Sequence, residues 1–186
     1  MSVDRHSVKL VVAGGLGAGK TTFVGGVSEI PPLTTEEVMT QAGAAVDDVT
    51  GVDQKNHTTV ALDFGRITIA PDVVLYLFGT PGQDRFWFMW DELTQGAIGA
   101  IVLVDTRRLN TSFAAVDYFE RRETSFVVAV NRFYGECPYT ELEIRAALKL
   151  SDAVPLVWCD ARDRATTKQA LIHLVRHAMS SLTKSE

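Results

Sequence analysis

The chain has 186 residues, of which 46% are apolar and 22% are charged. This balance is typical of one globular domain and excludes a disordered or collagen-like chain. The net charge of −5 argues against a general nucleic-acid-binding protein, because such proteins usually carry a basic face. The two cysteines, Cys137 and Cys159, are too few for a disulfide framework and are typical of a reducing cytoplasm.

Targeting signals do not stand out in the sequence. The first residues lack a long apolar stretch behind a basic patch, and no window approaches the ~20 apolar residues of a membrane span. Ser2 stands where myristoylation needs glycine, and the last four residues are not a prenylation motif. We therefore expect a cytoplasmic protein with no direct membrane anchor, recruited to a membrane only through protein partners.

Short apolar runs follow one another along the chain and suit strands buried on both faces of a parallel sheet. These runs are 8–13, 73–78, 97–104, 126–130 and 154–158. The segment 59–69 also has strand composition, and Pro71 and Asp72 provide a turn after it. A hairpin is the best fit, and it places one antiparallel strand at an edge of the sheet.

Helical patterns lie between the strands. Thr140 and Glu143 have the spacing of a capping box, which predicts the start of a helix toward Leu150. One face of a C-terminal helix is marked by Leu171, Leu174, Val175, Ala178 and Leu182. The segment 30–55 shows no clean period, and a connection of this length is often functional. The alternative is that this segment is a partly helical excursion on the surface without a function.

The alternation of elements predicts a doubly wound α/β fold. We expect a mostly parallel six-stranded sheet with one antiparallel edge strand, in a single domain that spans residues 1–186.

A glycine-rich motif follows the first strand and precedes a helix. Its residues are Gly14, Gly15, Leu16, Gly17, Ala18, Gly19, Lys20 and Thr21. The pattern G-x-x-x-x-G-K-[ST] in this context is a phosphate-binding P-loop, because its backbone N–H groups and the helix N-terminus attract phosphate. Lys20 would reach the β- and γ-phosphates of a nucleotide, and the Thr21 hydroxyl would bind Mg²⁺.

Three later motifs each follow a predicted strand. They are a Gly-Gln pair in a turn, an Asn-Arg pair and an Asp-Ala-Arg tripeptide. Their residues are Gly82, Gln83, Asn131, Arg132, Asp160, Ala161 and Arg162. In small G proteins, the glycine amide of the first motif senses the γ-phosphate and the glutamine orients the attacking water.

With these motifs the chain resembles a Ras-like small GTPase over nearly its whole length. Within that superfamily it is most similar to the bacterial MglA-like group, and more narrowly to the G proteins of actinobacterial conservons (CvnD-type ATP/GTP-binding proteins). The stretches that carry the resemblance are TTVALDFG at 58–65, LFGTPGQ at 77–83 and DTRR at 105–108.

The resemblance implies that the chain binds GTP and GDP with Mg²⁺. It implies a roadblock-fold regulatory protein and a sensor-kinase-like membrane protein as partners, and no nucleic acid. Switch I would cover about residues 30–59 and switch II about residues 79–95.

The resemblance also implies site residues. Gln83, Lys20 and Gly82 would act in catalysis, and Thr21 with Thr59 would bind the metal; Thr58 is the alternative to Thr59. Arg132 would cover the base with its aliphatic stem, and the Ala161 amide would meet the guanine carbonyl. The implied nucleotide contacts are Gly14, Leu16, Gly17, Ala18, Gly19, Lys20, Thr21, Thr22, Thr59, Asn131, Arg132, Asp160, Ala161 and Arg162.

Three residues depart from the pattern of small G proteins. Tyr134 stands where an aspartate normally accepts two hydrogen bonds from guanine, so we expect weaker guanine selectivity, with adenine as the alternative base. Gly79 removes the acid that usually holds Mg²⁺ through water, and Asp63 and Asp105 are candidate replacements. Leu16 stands where glycine is common, and would crowd an arginine supplied by a partner.

The resemblance, together with these departures, implies a GTP/GDP switch in bacterial signalling with slow, Mg²⁺-dependent GTP hydrolysis. The three departures also fit a nucleotide-binding scaffold without turnover. A P-loop small-molecule kinase is a third alternative, although the sequence shows no convincing arginine-bearing lid. The aromatic run 86–90 beside the Gly-Gln turn predicts a partner surface, against the alternative of a buried helix.

Overall fold

The computed structural model describes residues 6–31, 33–40, 57–82, 84–133, 135 and 137–183. In these ranges seven strands form one sheet with the order β2-β3-β4-β1-β5-β6-β7. The strands are β1 His6–Gly14, β2 Leu33–Thr40, β3 His57–Ala70, β4 Val73–Gly79, β5 Ala97–Val104, β6 Phe126–Asn131 and β7 Leu156–Cys159.

The sheet confirms the predicted doubly wound α/β class. β1 pairs in parallel with β4 and β5, and the pairs β5–β6 and β6–β7 are also parallel. β3 is antiparallel to both of its neighbours, β2 and β4, so among the described strands it alone runs against the others.

The sheet has one strand more than the six expected. β2 lies inside the segment 30–55 and pairs with the outer edge of β3, so the antiparallel strand is not at the edge. The partly helical alternative is wrong for residues 33–40, where threonine and valine suit a strand. Residues 41–56 of that segment lie outside the described ranges.

Helices cover both faces of the sheet. They are α1 Lys20–Val27, α2 Trp90–Thr94, α3 Phe113–Arg121, α4 Glu141–Leu148 and α5 Arg164–Leu182, with 3₁₀ segments at Asp84–Met89 and Thr106–Ser112. α1 and α5 pack on one face, and the other three pack on the opposite face. No helix in the described part of the chain is both long and apolar enough to cross a membrane.

The central strands are buried on both sides, as predicted from their unbroken apolar runs. In β1, Leu10 and Val12 contribute to the core under α1 and α5, whereas Val11 and Ala13 contribute to the core on the other face. This alternation follows the two-residue period of a strand. It therefore fixes which face each side chain meets.

The predicted capping box of α4 is confirmed. Thr140 Oγ1 accepts a hydrogen bond from the Glu143 N–H, and the Glu143 carboxylate accepts one from the Thr140 N–H. The predicted face of the C-terminal helix is also confirmed, because Leu171, Leu174 and Ala178 are buried in the core.

The carboxyl ends of five parallel strands meet at one edge of the sheet. Gly14, Gly79 and Asn131 end β1, β4 and β6, and Asp105 and Asp160 directly follow β5 and β7. The loops at this edge of a doubly wound sheet are where ligands bind in such folds. The predicted motifs are therefore brought together by the strand order.

Candidate nucleotide-binding site

The P-loop joins β1 to α1 and depends on glycine for its shape. Gly14, Gly17 and Gly19 have φ values of +142°, +75° and +103°, a region that side chains disfavour. Gly19 is also needed for a close approach, since an added Cβ would lie 2.6 Å from Asn131 Nδ2. The loop thus has the curvature and the open backbone that a phosphate cradle requires.

Lys20 lies on the inner side of this loop. Its Nζ donates to the carbonyl oxygens of Gly14 and Gly15, each at 2.8 Å, and the residue is only 8% exposed. Burial lowers the pKa of Lys20 to about 8, an effect that the charge of Asp63 partly opposes. The ammonium group is therefore held ready to exchange carbonyl oxygens for phosphate oxygens.

The turn after β4 packs directly on the P-loop. The Thr80 N–H donates to the Val12 carbonyl at 2.9 Å, and the indole N–H of buried Trp90 donates to the Pro81 carbonyl at 3.2 Å. A Cβ added at Gly82 would lie 2.6 Å from Lys20 Nζ and 2.9 Å from the backbone nitrogen of Leu16. Only glycine fits at this point of contact.

A carboxylate from the neighbouring strand occupies the space beside Gly79. The pairing of Phe64 with Phe78 places Asp63 next to Gly79, and a Cβ there would lie 3.0 Å from Asp63 Cβ and 3.1 Å from its Oδ2. Asp63 is 7% exposed, and its Oδ2 accepts a hydrogen bond from Thr21 Oγ1 at 2.7 Å. The acid missing from β4 therefore has a counterpart on β3.

Asp105, the other candidate replacement, has a different partner. Its carboxylate accepts hydrogen bonds from Arg107 Nε and Nη2, both at 2.9 Å. This fork-shaped pair uses both carboxylate oxygens, so the structure assigns Asp105 to an ion pair rather than to the neighbourhood of Thr21.

A cleft of about 160 Å³ lies beside the P-loop. Its walls are formed by Gly19, Thr22, Asn131, Phe133, Asp160, Ala161 and Arg162. Asn131 Nδ2 donates to the Ala18 carbonyl at 3.0 Å, and Asn131 Oδ1 accepts from the Ala161 N–H at 3.0 Å. One buried amide thus braces the P-loop against the loop after β7, which gives the cleft the position expected of a base pocket.

Phe133 stands in the wall of this cleft beside the predicted residues. The Arg132 guanidinium stacks on Trp158 at 4.7 Å from the ring centre, and Arg132 is not among the residues that line the cleft. Phe133 lines the cleft, with the Arg107 guanidinium 4.0 Å from its ring centre. Arg132 lines two other clefts that share residues with this one, so its place over the base stays a prediction, and Phe133 is a second candidate for that role.

Asp160 and Arg162 form an ion pair at the mouth of the cleft. Arg162 Nε and Nη2 donate to the two carboxylate oxygens at 2.9 and 2.6 Å. The side-chain hydrogen bond from Arg162 lowers the pKa of Asp160 to about 2. The pair therefore places one negative and one positive group in the wall of the cleft.

Most of the predicted site residues converge on the P-loop edge. The P-loop residues, Gly82, Asn131, Asp160, Ala161 and Arg162 all lie there, whereas Gln83, Tyr134 and the side chains of Thr58 and Thr59 lie outside the described part. Sequence reasoning gave no role to Phe133 or Thr111. The only available signal for Phe133 was its place two residues after the strand-ending asparagine.

The cysteines should differ in reactivity. Burial raises the pKa of the Cys159 thiol to about 12, so almost no reactive thiolate is present at pH 8. Cys137 is half-buried. We expect Ellman's reagent at pH 8 to modify one thiol per folded chain rapidly and a second only after unfolding; two rapid equivalents would contradict the buried placement of Cys159.

Comparison with known proteins also indicates nucleotide binding. The family described as "Conserved hypothetical ATP binding protein" matches residues 12–181. An uncharacterized protein of Methanocaldococcus jannaschii, MJ1339, is 33% identical over 106 residues, which are 57% of this chain and 56% of that protein. The match therefore spans about half the length of this relative.

Solved structures share the fold. The G domain of the T. maritima FeoB iron transporter aligns with a TM-score of 0.63 and 17% identity, over 93% of this chain and 99% of that one. The cytosolic domain of that transporter, in apo and GDP forms, aligns with TM-scores of 0.60 at 15% and 16% identity, over 93% of this chain and 64% of each of those.

The family match covers nearly the whole chain, and the site combines a P-loop with a base-sized cleft at the strand ends. The chain belongs to the family of conserved hypothetical ATP-binding proteins, a family of P-loop nucleotide-binding proteins.

Proposed function

We propose that the protein is a GTP/GDP switch with slow, Mg²⁺-dependent GTP hydrolysis. The observation that carries this proposal is the contact of Gly82 with Lys20 and with the Leu16 backbone. A γ-phosphate that reaches Lys20 must meet or displace the turn that contains Gly82. This turn is also hydrogen-bonded to Trp90 at the start of α2. A movement of the turn on γ-phosphate binding would therefore change the surface around that helix.

The residues beside Lys20 fit a magnesium ion. Mg²⁺ prefers hydroxyl, carboxylate and phosphate oxygens, and Thr21 Oγ1 and Asp63 Oδ2 already lie 2.7 Å apart. When bound, Mg²⁺ would neutralise charge on the β- and γ-phosphates. We assign Thr21 as the direct ligand and Asp63 as the acid that orients its ligand shell, with Thr59 as the further hydroxyl that the family resemblance implies.

Guanine is the base that we assign to the cleft. Asn131 holds the Ala161 amide at the cleft wall, and these are the two groups that the resemblance assigns to guanine. The Ala161 amide already donates to Asn131, so it would have to share that hydrogen bond with a base carbonyl. Phe133 provides an apolar wall against which a purine can stack.

Leu16 in the P-loop supports slow hydrolysis. This residue is 57% exposed and its backbone lies next to the Gly82 turn, where its side chain would obstruct an arginine from a partner. The same observation favours a second candidate function, a nucleotide-binding scaffold without turnover. Phosphate release separates the two functions.

We also propose that the partner surface lies next to this turn. Phe88 is 61% exposed on the 3₁₀ segment before α2, whereas Trp90 is buried and Trp87 packs 5.6 Å from it, centre to centre. An exposed aromatic side chain of this kind suits a protein interface. A roadblock-fold regulatory protein and a sensor-kinase-like membrane protein are the proposed partners, and they would recruit the protein from the cytoplasm to a membrane.

Nucleotide binding and single-turnover hydrolysis test the proposal. We expect purified protein to retain GDP by mass analysis, and GTP to displace a fluorescent GDP at least about tenfold better than ATP does. We expect slow phosphate release from GTP that Gln83→Ala abolishes. Preferential binding of ATP would overturn the base assignment, and absence of phosphate release would favour the scaffold.

A further inference from the structure

A second cation, Arg108, lies against the P-loop at Gly17. Its Nη2 is 2.6 Å from the position that a Cβ on Gly17 would take. Gly17 is at φ +75°, so the loop leaves an open notch there, and the guanidinium fills that notch. Lys20 Nζ bonds the Gly14 and Gly15 carbonyls of the same loop, so the two cations contact different residues of the phosphate cradle.

The backbone holds Arg108 in this place. The Arg108 N–H donates to the Asp105 carbonyl at 2.9 Å, and the Thr111 hydroxyl donates to the Arg108 carbonyl at 2.8 Å. The 3₁₀ segment is kinked at Arg108, with φ −142° and ψ 52°. Thr111 itself packs on the P-loop, because a Cβ added at Gly15 would lie 2.9 Å from the Thr111 carbonyl oxygen.

Arg108 carries charge that its own surroundings leave largely uncompensated. Its salt bridge to Asp105 Oδ2 is 3.5 Å long, and its side chain is 50% exposed. Asp105 is already engaged by Arg107 in two hydrogen bonds of 2.9 Å. One carboxylate therefore faces two arginines, and a positive charge remains at the rim of the P-loop in a chain of net charge −5.

We propose that Arg108 binds the phosphate chain of the nucleotide from its place beside Gly17. The proposal rests on the nucleotide-binding function proposed above and extends it. A guanidinium presents donors in a fork that matches phosphate oxygens, and this half-exposed side chain is held to Asp105 only by a 3.5 Å contact. Its Nη2 already lies at the P-loop beside Gly17, so a phosphate bound in the loop would compete with Asp105 for it.

The test compares Arg108→Ala, Arg108→Lys and Arg121→Ala in fluorescent GDP and GTP binding and release. Arg121 is an exposed arginine on α3 that pairs with an aspartate, so its variant controls for loss of one surface charge. We expect Arg108→Ala to weaken binding about five- to tenfold and to reduce its dependence on salt. We expect Arg108→Lys to recover part of the affinity and Arg121→Ala to bind as the wild type does.

The outcomes separate this inference from the proposed function. A greater loss for GTP than for GDP supports contact with the γ-phosphate, and an equal loss supports contact with the other phosphates. If the wild type binds nucleotide and Arg108→Ala binds equally well, or if Arg121→Ala loses as much, the role of Arg108 is overturned alone. If the wild type binds neither nucleotide, both proposals are overturned.

Discussion

Lys20→Ala is expected to weaken the binding of both GTP and GDP by about 100-fold or more, because hydrogen bonds from a charged group contribute ~1.5–3 kcal/mol each. The Nζ makes two such bonds at 2.8 Å to the Gly14 and Gly15 carbonyls, and phosphate oxygens would take them over. Titration calorimetry with each nucleotide measures the loss.

The variant should still fold. Burial holds the pKa of Lys20 near 8, below the 10.5 of an exposed lysine, so at pH 7 the folded chain keeps this charge at a cost to stability. Removal of the side chain relieves that cost and leaves two carbonyl groups to find water, so we expect a melting temperature close to that of the wild type. Loss of binding would then report on the site and not on the fold.

Two further variants sharpen this test. Lys168→Ala removes the same charge from the exposed surface of α5 and should leave binding unchanged. Lys20→Arg should fail to restore binding, because Gly82 and the two carbonyls enclose the Nζ and a guanidinium is too broad for that space. Binding by Lys20→Ala within a few-fold of the wild type would contradict the role of this lysine.

Exchange of the acid between β3 and β4 is expected to move the magnesium-holding function with it. Asp63→Asn keeps the size of the side chain and removes its charge, and we expect the Mg²⁺ affinity of the nucleotide complex to fall about 10- to 100-fold. The measurement is the Mg²⁺ concentration that half-maximally slows release of fluorescent GDP. Asp152→Asn, an exposed acid in the turn before β7, is the matched control.

The reverse change tests the geometry. Gly79→Asp alone puts a Cβ 3.0 Å from Asp63 Cβ and 3.1 Å from Asp63 Oδ2, with a second carboxylate attached to it. We expect a loss of about 1–3 kcal/mol in the free energy of unfolding from overpacking. The double variant Asp63→Ala with Gly79→Asp relieves the crowding and returns one acid to the site. We expect it to recover Mg²⁺ affinity to within a few-fold of the wild type.

Two outcomes would contradict the role of Asp63 in holding Mg²⁺. If Asp63→Asn leaves the Mg²⁺ dependence unchanged, or if the folded double variant binds Mg²⁺ no better than Asp63→Asn does, Asp63 does not hold the metal. A change of equal size in Asp152→Asn would point to a general effect of net charge.

The sequence comes close to predicting that Asp63 lies opposite Gly79. Both residues lie eight positions from Pro71, at the centre of the predicted hairpin turn. Counting outward from the turn would have placed them opposite each other. The strand register shifts next to the turn, between Thr68 and Ala70. Because a shift of one residue sends every side chain to the other face, a count of residues from the turn does not fix which side chain faces Gly79. Asp63 and Asp105 therefore both remained candidates.

The sequence by itself determined the P-loop, the doubly wound class and the cap of α4. These features depend on residues close together in the chain, whose backbone preferences and two-residue or helical periods act locally. The placement of Lys20 and the glycines with positive φ follows from one contiguous motif.

Only the tertiary structure decided which side chains from distant segments meet. It placed Asp63 beside Gly79, put Phe133 in the cleft wall, and set Arg108 against Gly17. It also showed that the segment after α1 adds a strand beyond β3. Each of these contacts depends on strand register and on the direction in which a loop leaves the sheet, and a one-residue change in either would remove it.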